Sequence, residues 1–208
     1  MKISAVPYEW PKQPNVQPKN CALLVIDVQN DYCSPGFYMD KMGCDIGRLS
    51  NVIDPLKKVL EAVRKTDMKI IYSRHGEDEP EGGSTKNEDI NTSYKGQEGW
   101  QISQEVKPFS SERIFDKTTS SVFLSTDIER FLRQNKITHL VFTGLTFDCC
   151  VHSSLRTADD LGFKCLTLED CCGAVTETLH KGSIESITIE GGVFGAVSTS
   201  DEFIKALN

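Results

Sequence analysis

The chain has 208 residues, with 23 basic and 30 acidic side chains and a net charge of −7, and neither sign is gathered into a block. That length supports one well-buried core, and the dispersed acidic balance excludes a nucleic-acid footprint and points to small-molecule partners. The longest apolar run, CALLVI at 21 to 26, is far short of the roughly 20 residues that cross a bilayer. The opening MKISAVPYEWPKQPN lacks the apolar stretch of a signal peptide, so a cytoplasmic protein without a membrane partner is expected.

Residues 1 to 20 carry Pro7, Pro11, Pro14 and Pro18 and read as an extended arm, which leaves 21 to 208 as a single domain. CALLVID is a continuous apolar run ending at Asp27, the pattern of a strand buried on both faces. Residues 48 to 65 form a predicted helix with Ile53, Leu56, Val59, Leu60 and Val63 on one side, and Pro55 falls early enough to be tolerated. KIIYS at 69 to 73 is the next strand. About forty aperiodic residues follow, rich in Gly, Glu, Asp and Asn, and a loop that long inside a domain is usually functional or mobile.

RIFDK at 113 to 117 reads as a short strand, and Thr126 with Glu129 has the spacing of a capping box opening a helix that carries Ile128, Phe131 and Leu132. THLVFTG is a strand, 149 to 161 a helix, KCLTLED a strand, 175 to 189 a helix, and VFGAVST a last strand before a C-terminal helix. Strands alternating with helices predict an α/β fold of three layers, α/β/α, around a six-stranded, mainly parallel sheet. Ligands of such sheets bind outside the carboxyl ends of the strands, where strand order reverses.

Eight cysteines in a chain with this much core and no export signal are expected to be reduced thiols. The adjacent pairs Cys149–Cys150 and Cys171–Cys172 lack C-x-x-C spacing, so they do not read as structural zinc ligands. Three chemically capable side chains fall at predicted strand ends: Asp27, Lys117, and either Cys149 or Cys150. A thiol, a carboxylate to take its proton and an ammonium to balance charge make a nucleophilic site without histidine. A thiol at a helix N-terminus is moreover expected to favour thiolate. His75, His139, His152 and His180 have no evident triad context, and His152 is expected to point away along its helix.

The segments ALLVIDVQNDYCSPG, DKTTSSVF, VFTGLTFDCCVHSSLRTADDLGF and LTLEDCCGA resemble, in order, the signatures of the isochorismatase-like cysteine hydrolases from about residue 20 onward. The resemblance implies Asp27 as general base, Lys117 as the cationic member and Cys150 as nucleophile, with Cys149 a bystander. It also implies a non-proline cis peptide between Leu145 and Thr146 and an oxyanion hole from the N–H groups of Thr146 and Cys150. No cofactor and no metal are implied, because the metal-binding nicotinamidases of the family carry histidines after the first strand, and this chain has none between Asp27 and His75.

AVPYEWP, PGFYMDKMGCDIGRLSNVIDPL, LEDCCGA and GGVFGAVSTSD are similar to the branch that hydrolyses biuret, triuret, ureidoacrylate and N-carbamoyl compounds. The resemblance therefore implies an amidohydrolase cleaving a C–N bond of a small ureido or amide substrate through a thioester. Tyr32 and Glu190 are the expected substrate contacts, Glu190 standing where biuret-type members carry glutamine and reaching the cleft if EGGVFG folds over it. The alternatives are a nicotinamidase-like amidase, or a non-catalytic member with a binding or redox role. Members form dimers or tetramers, so a homo-oligomer is expected, with the arm available to cross to a neighbour.

Overall fold

The computed structural model describes residues 1–78 and 94–207. Six strands form one parallel sheet: β1 Cys21–Ile26, β2 Lys69–His75, β3 Arg113–Lys117, β4 His139–Leu145, β5 Lys164–Gly173 and β6 Ala196–Ser198. Their spatial order is β3-β2-β1-β4-β5-β6, and every neighbouring pair is parallel. The helices are α1 Asn30–Cys33, α2 Tyr38–Lys41, α3 Ile46–Ser50, α4 Ile53–Val63, α5 Ile128–Gln134, α6 His152–Asp160, α7 Glu177–Gly192 and α8 Ser200–Leu207.

Side chains of β1 divide between two cores, as successive strand residues must. Cys21, Leu23 and Val25 pack with Leu56, Val59, Leu60 and Val63 of α4 and Phe203 of α8. Ala22, Leu24 and Ile26 pack with Ile128 and Leu132 of α5, Leu155 and Ala158 of α6, and Ile187 of α7. These are the three layers expected, with the sheet in the middle.

The long helix expected over 48 to 65 is two helices. Asp45 caps α3 by accepting from the Arg48 N–H at 3.2 Å, and a turn at 51 to 52 precedes α4. Pro55 has no N–H to give the Asn51 carbonyl, so the chain breaks there and restarts. The capping box also differs from expectation: Thr126 Oγ1 accepts from the Ile128 N–H, and Glu129 turns instead toward Arg133 at 3.4 Å. The aperiodic stretch contains a short 3-10 turn at Gln104–Val106, while its portion 79–93 lies outside the described residues.

The proline-rich arm is built into its own domain instead of reaching away. Ile3 and Trp10 bridge each other and are buried, and Val6 exchanges both backbone hydrogen bonds with Val197 at 2.8 Å, covering the open edge of β6. Covering an edge strand removes a template for unwanted pairing. All eight cysteines are free. Among the described residues no helix is long and apolar enough to cross a membrane.

Candidate active site

Strand order reverses between β1 and β4, and this is where the chemistry collects. Asp27 leaves the carboxyl end of β1 with φ 49°, a left-handed conformation rare for a residue with a side chain. Continued alternation would turn residue 27 toward the α4 face with Leu23 and Val25; the change of backbone ends that alternation. Beside it, Gly144 of β4 has φ 118°, and a Cβ there would collide with the Ile26 carbonyl. Only glycine permits this approach, which brings the turn after β4 up to Asp27.

That turn, Phe147–Val151, is a single π turn leading into α6. Thr146 O accepts from Cys149 N at 3.1 Å and from Val151 N at 3.2 Å, the Leu145–Thr146 peptide is cis, and both Thr146 and Cys150 are buried. Such turns recur at functional sites.

Lys117 closes β3 on the face shared by Phe115 and Ile71, and its long side chain passes β2 to reach Asp27. Nζ stands 2.6 Å from Asp27 Oδ2, with both side chains inaccessible to solvent, and donates to the Thr119 carbonyl at 3.0 Å. The pair is held by charge without hydrogen-bond alignment, so Oδ2 keeps no directed hydrogen bond among the described residues. Oδ1 accepts a 2.6 Å hydrogen bond from Ser73 Oγ. Asp27, Lys117 and Cys150 are thus brought together, and the charges of the first two act on the Cys150 thiol in opposite senses.

The two neighbouring thiols behave differently. Cys150 is pushed up by its hydrogen bond with Cys149, by burial and by the Asp27 carboxylate, against the pull of the Lys117 ammonium. Cys149 is exposed and is pushed down to about 6, first by the hydrogen bond with Cys150 and also by Ser120, whose Oγ lies 3.7 Å from its sulfur. The direction at Cys149 is the one expected of a thiol at a helix N-terminus, and the direction at Cys150 is opposite to it. The hydrogen bond with Cys149, burial and the neighbouring carboxylate all act against a thiolate at Cys150.

Tyr32, in α1, is buried at the edge of this cluster, and its hydroxyl lies 3.0 Å from His75 Nδ1. Its phenol is pushed up by burial, then by Asp27 and Cys150, and so stays neutral. His75 is lowered by burial and by Lys117, which favours a neutral imidazole. Gln29 locks this corner: Nε2 donates to the carbonyls of His75 and Trp100 at 3.0 and 2.9 Å, and Oε1 accepts from the His75 N–H at 2.7 Å. Sequence reasoning does not single out Ser73 or Gln29, and it sets His75 aside with the other histidines. A serine inside the apolar run KIIYS was the one available signal, since a buried polar group needs a partner. His152 does point away, with its Nδ1 accepting from Arg156 Nε at 2.9 Å.

Glu190 is not brought to the cluster. It is exposed, at φ 54° in a kink that ends α7, followed by Gly191 and Gly192 at φ 79° and 88°. Gly192 stands against Tyr8 of the arm, and Gly195 against the Cys165 carbonyl at the start of β5. The EGGVFG segment therefore turns the chain into the amino end of β6, at the end of the sheet opposite the carboxyl ends of β1 and β4 that Asp27 and Cys150 follow. Left-handed residues commonly end helices in this way. A separate open cleft of about 770 Å³, lined by Arg48, Glu169, Glu177 and His180 among others, lies beside the end of β5 and contains none of the clustered residues. Among the described residues, no group of three or more His, Cys, Asp or Glu is placed to hold a metal ion.

Residues 21–202 match the family model described as "Isochorismatase domain". A ureidoacrylate amidohydrolase RutB from Caulobacter segnis is 33% identical over 93% of this chain and 88% of its own length. Among solved structures, a cysteine hydrolase from Pseudomonas syringae pv. phaseolicola superposes with a TM-score of 0.80 at 21% identity, covering 94% of this chain and 95% of that one. An isochorismatase-like hydrolase from Alkaliphilus metalliredigens gives 0.76 at 27% identity, with coverage of 91% and 99%. The sheet order, the buried pair at the switch point and these matches agree: the chain belongs to the isochorismatase-domain family of α/β hydrolases.

Proposed function

We propose that the protein is a cysteine-dependent amidohydrolase acting on a small ureido compound of the ureidoacrylate or N-carbamoyl type. The observation that carries this reading is the fully buried Asp27–Lys117 pair beside the Cys150 thiol. A carboxylate and an ammonium kept dry beside a thiol are suited to moving one proton off sulfur and back. The 33% identity to a ureidoacrylate amidohydrolase supports the ureido group as the target.

In this mechanism Cys150 Sγ bonds to the ureido carbonyl carbon as its proton passes to Asp27 Oδ2, the oxygen without a directed hydrogen bond. The carbonyl π electrons move to oxygen, and the N–H groups of Thr146 and Cys150 hold that oxyanion. Lys117 balances the charge near Asp27 as its proton load changes. Collapse breaks the C–N bond, and the proton held by Asp27 leaves with the nitrogen as ammonia or an amine. Water then gives a proton to Asp27 and attacks the thioester carbon, and Cys150 departs and takes that proton back. Tyr32 lines the substrate's side of the cluster.

Ammonia or amine release from ureidoacrylate, biuret, N-carbamoylsarcosine and nicotinamide tests the reading. Turnover of a ureido compound well above nicotinamide is expected. Nicotinamide as the preferred substrate would overturn it.

A further inference from the structure

Ser73 touches Asp27 twice, and the mechanism above uses neither contact. Its carbonyl accepts from the Asp27 N–H at 3.2 Å, and its hydroxyl donates to Asp27 Oδ1 at 2.6 Å, a length typical of a hydrogen bond to a charged oxygen. Ser73 is paired with Ile26 of β1 on one side and with Phe115 of β3 on the other, so the middle of the sheet fixes its backbone. Its neighbours along the buried stretch of β2, Ile70, Ile71 and Tyr72, are all hydrocarbon or aromatic. A serine completely enclosed there has a chemical purpose rather than a packing one, because alanine would fill the site without needing a partner.

We infer that Ser73 is a positioning residue for the base: by holding Oδ1, it turns Oδ2 toward Lys117 and the Cys150 thiol. The carboxylate has two equivalent oxygens and one torsion that exchanges them. Lys117 alone, contacting Oδ2 by charge without alignment, does not select a rotamer. The Ser73 hydrogen bond does, and it acts together with the left-handed backbone of Asp27, which the Ser73 carbonyl also anchors. The inference rests on the reading of Asp27 as the base that takes the Cys150 proton.

The test uses iodoacetamide, whose reaction needs that same proton transfer but no knowledge of the substrate. Cys150 Sγ bonds to the methylene carbon, iodide leaves with the C–I electron pair, and the thiol proton goes to Asp27. Alkylation of Cys150 and of Cys149 is followed separately by peptide mass spectrometry in the full-length protein, with folding checked by thermal unfolding. Ser73→Ala should slow alkylation of Cys150 by roughly ten- to a hundred-fold, the weight of a hydrogen bond to a charged group, while the rate at Cys149 stays put. Ser73→Thr, which keeps the hydroxyl, should restore most of the rate. If Ser73→Ala does not fold, Ser73→Cys keeps a side-chain donor, though a weaker one, and should lie between wild type and Asp27→Asn.

On a ureido substrate, Ser73→Ala should lower kcat and leave KM nearly unchanged. Equal Cys150 alkylation in wild type and Ser73→Ala, or parallel slowing at both cysteines, would overturn the inference. Slowed Cys150 alkylation in a protein that hydrolyses no ureido compound would instead uphold Ser73 and refute the proposed substrate.

Discussion

Lys117 Nζ lies 2.6 Å from Asp27 Oδ2, and neither side chain has any contact with solvent. Placing two charges in the interior is costly, and breaking such a pair by removing one partner typically costs about 3–5 kcal/mol, because the other charge is left unbalanced. Lys117→Met should therefore lower unfolding stability by about that amount in urea titration, and adding Asp27→Asn should recover most of the loss. A single-variant loss under about 1 kcal/mol would mean that the pair is better hydrated than its burial implies.

The two adjacent cysteines should separate cleanly by mutation. Cys150→Ser is expected to abolish turnover, whereas Cys149→Ser keeps most of it, since Cys150 is buried within reach of the Asp27 and Lys117 charges and Cys149 is exposed. Asp27→Asn should cost at least about 10²–10⁴ in kcat, the usual weight of a general base. Steady-state kinetics on the best ureido substrate decide it, and equal damage from both cysteine changes would leave the nucleophile unassigned.

Cys149 also carries a pH signature. Its thiol is lowered to about 6 from 9.0, so its thiolate fraction rises as pH passes upward through about 6 and saturates well before the range of an ordinary cysteine. The rate of iodoacetamide labelling at Cys149, plotted against pH, should bend near 6. A bend near 9 would show that the hydrogen bonds of Cys149 with Cys150 and Ser120 do not hold in solution.

His139 ties the arm to the sheet: Nε2 lies 3.2 Å from Gln13 Oε1, Nδ1 lies 2.8 Å from Thr138 Oγ1, and the ring meets Trp10 edge-on. Burial lowers it from 6.5 to about 4, with Lys164 adding to the effect. Between those values the unfolded chain binds the proton and the folded chain does not, so this group makes stability fall as pH drops from 6.5 toward 4. His139→Gln should flatten that part of the stability–pH curve, measured by urea midpoint. An unchanged slope would remove His139 from the acid sensitivity.

Legibility in the sequence followed the strength of the physical signal. CALLVID and RIFDK announced strands ending at Asp27 and Lys117 through uninterrupted or alternating hydrophobicity, and the structure ends those strands beside the residues named. The missing N–H of Pro55 encodes the break between α3 and α4, but a proline this early in the predicted helix reads as tolerated while apolar residues keep the helical period across the break. Glu190 illustrates a different failure: the glycines of EGGVFG signal a turn correctly, but composition carries no information on which end of the strands the turn lies at, and α7 has already carried the chain to the amino end. Ser73, Gln29 and His75 act through contacts between segments distant in sequence, such as the 46-residue separation of Ser73 from Asp27, so no local pattern marks their partners.

In the proposed mechanism Cys150 carries the acyl group, and trapping that group tests this role most directly. Wild-type protein mixed with excess ureido substrate, quenched in acid within one turnover and digested, should show the carbamoyl or acyl mass on the Cys150 sulfur. The adduct should be absent from Cys150→Ser and markedly slower to form in Asp27→Asn. Turnover with no adduct on any cysteine, or with the adduct on Cys149, would contradict the account.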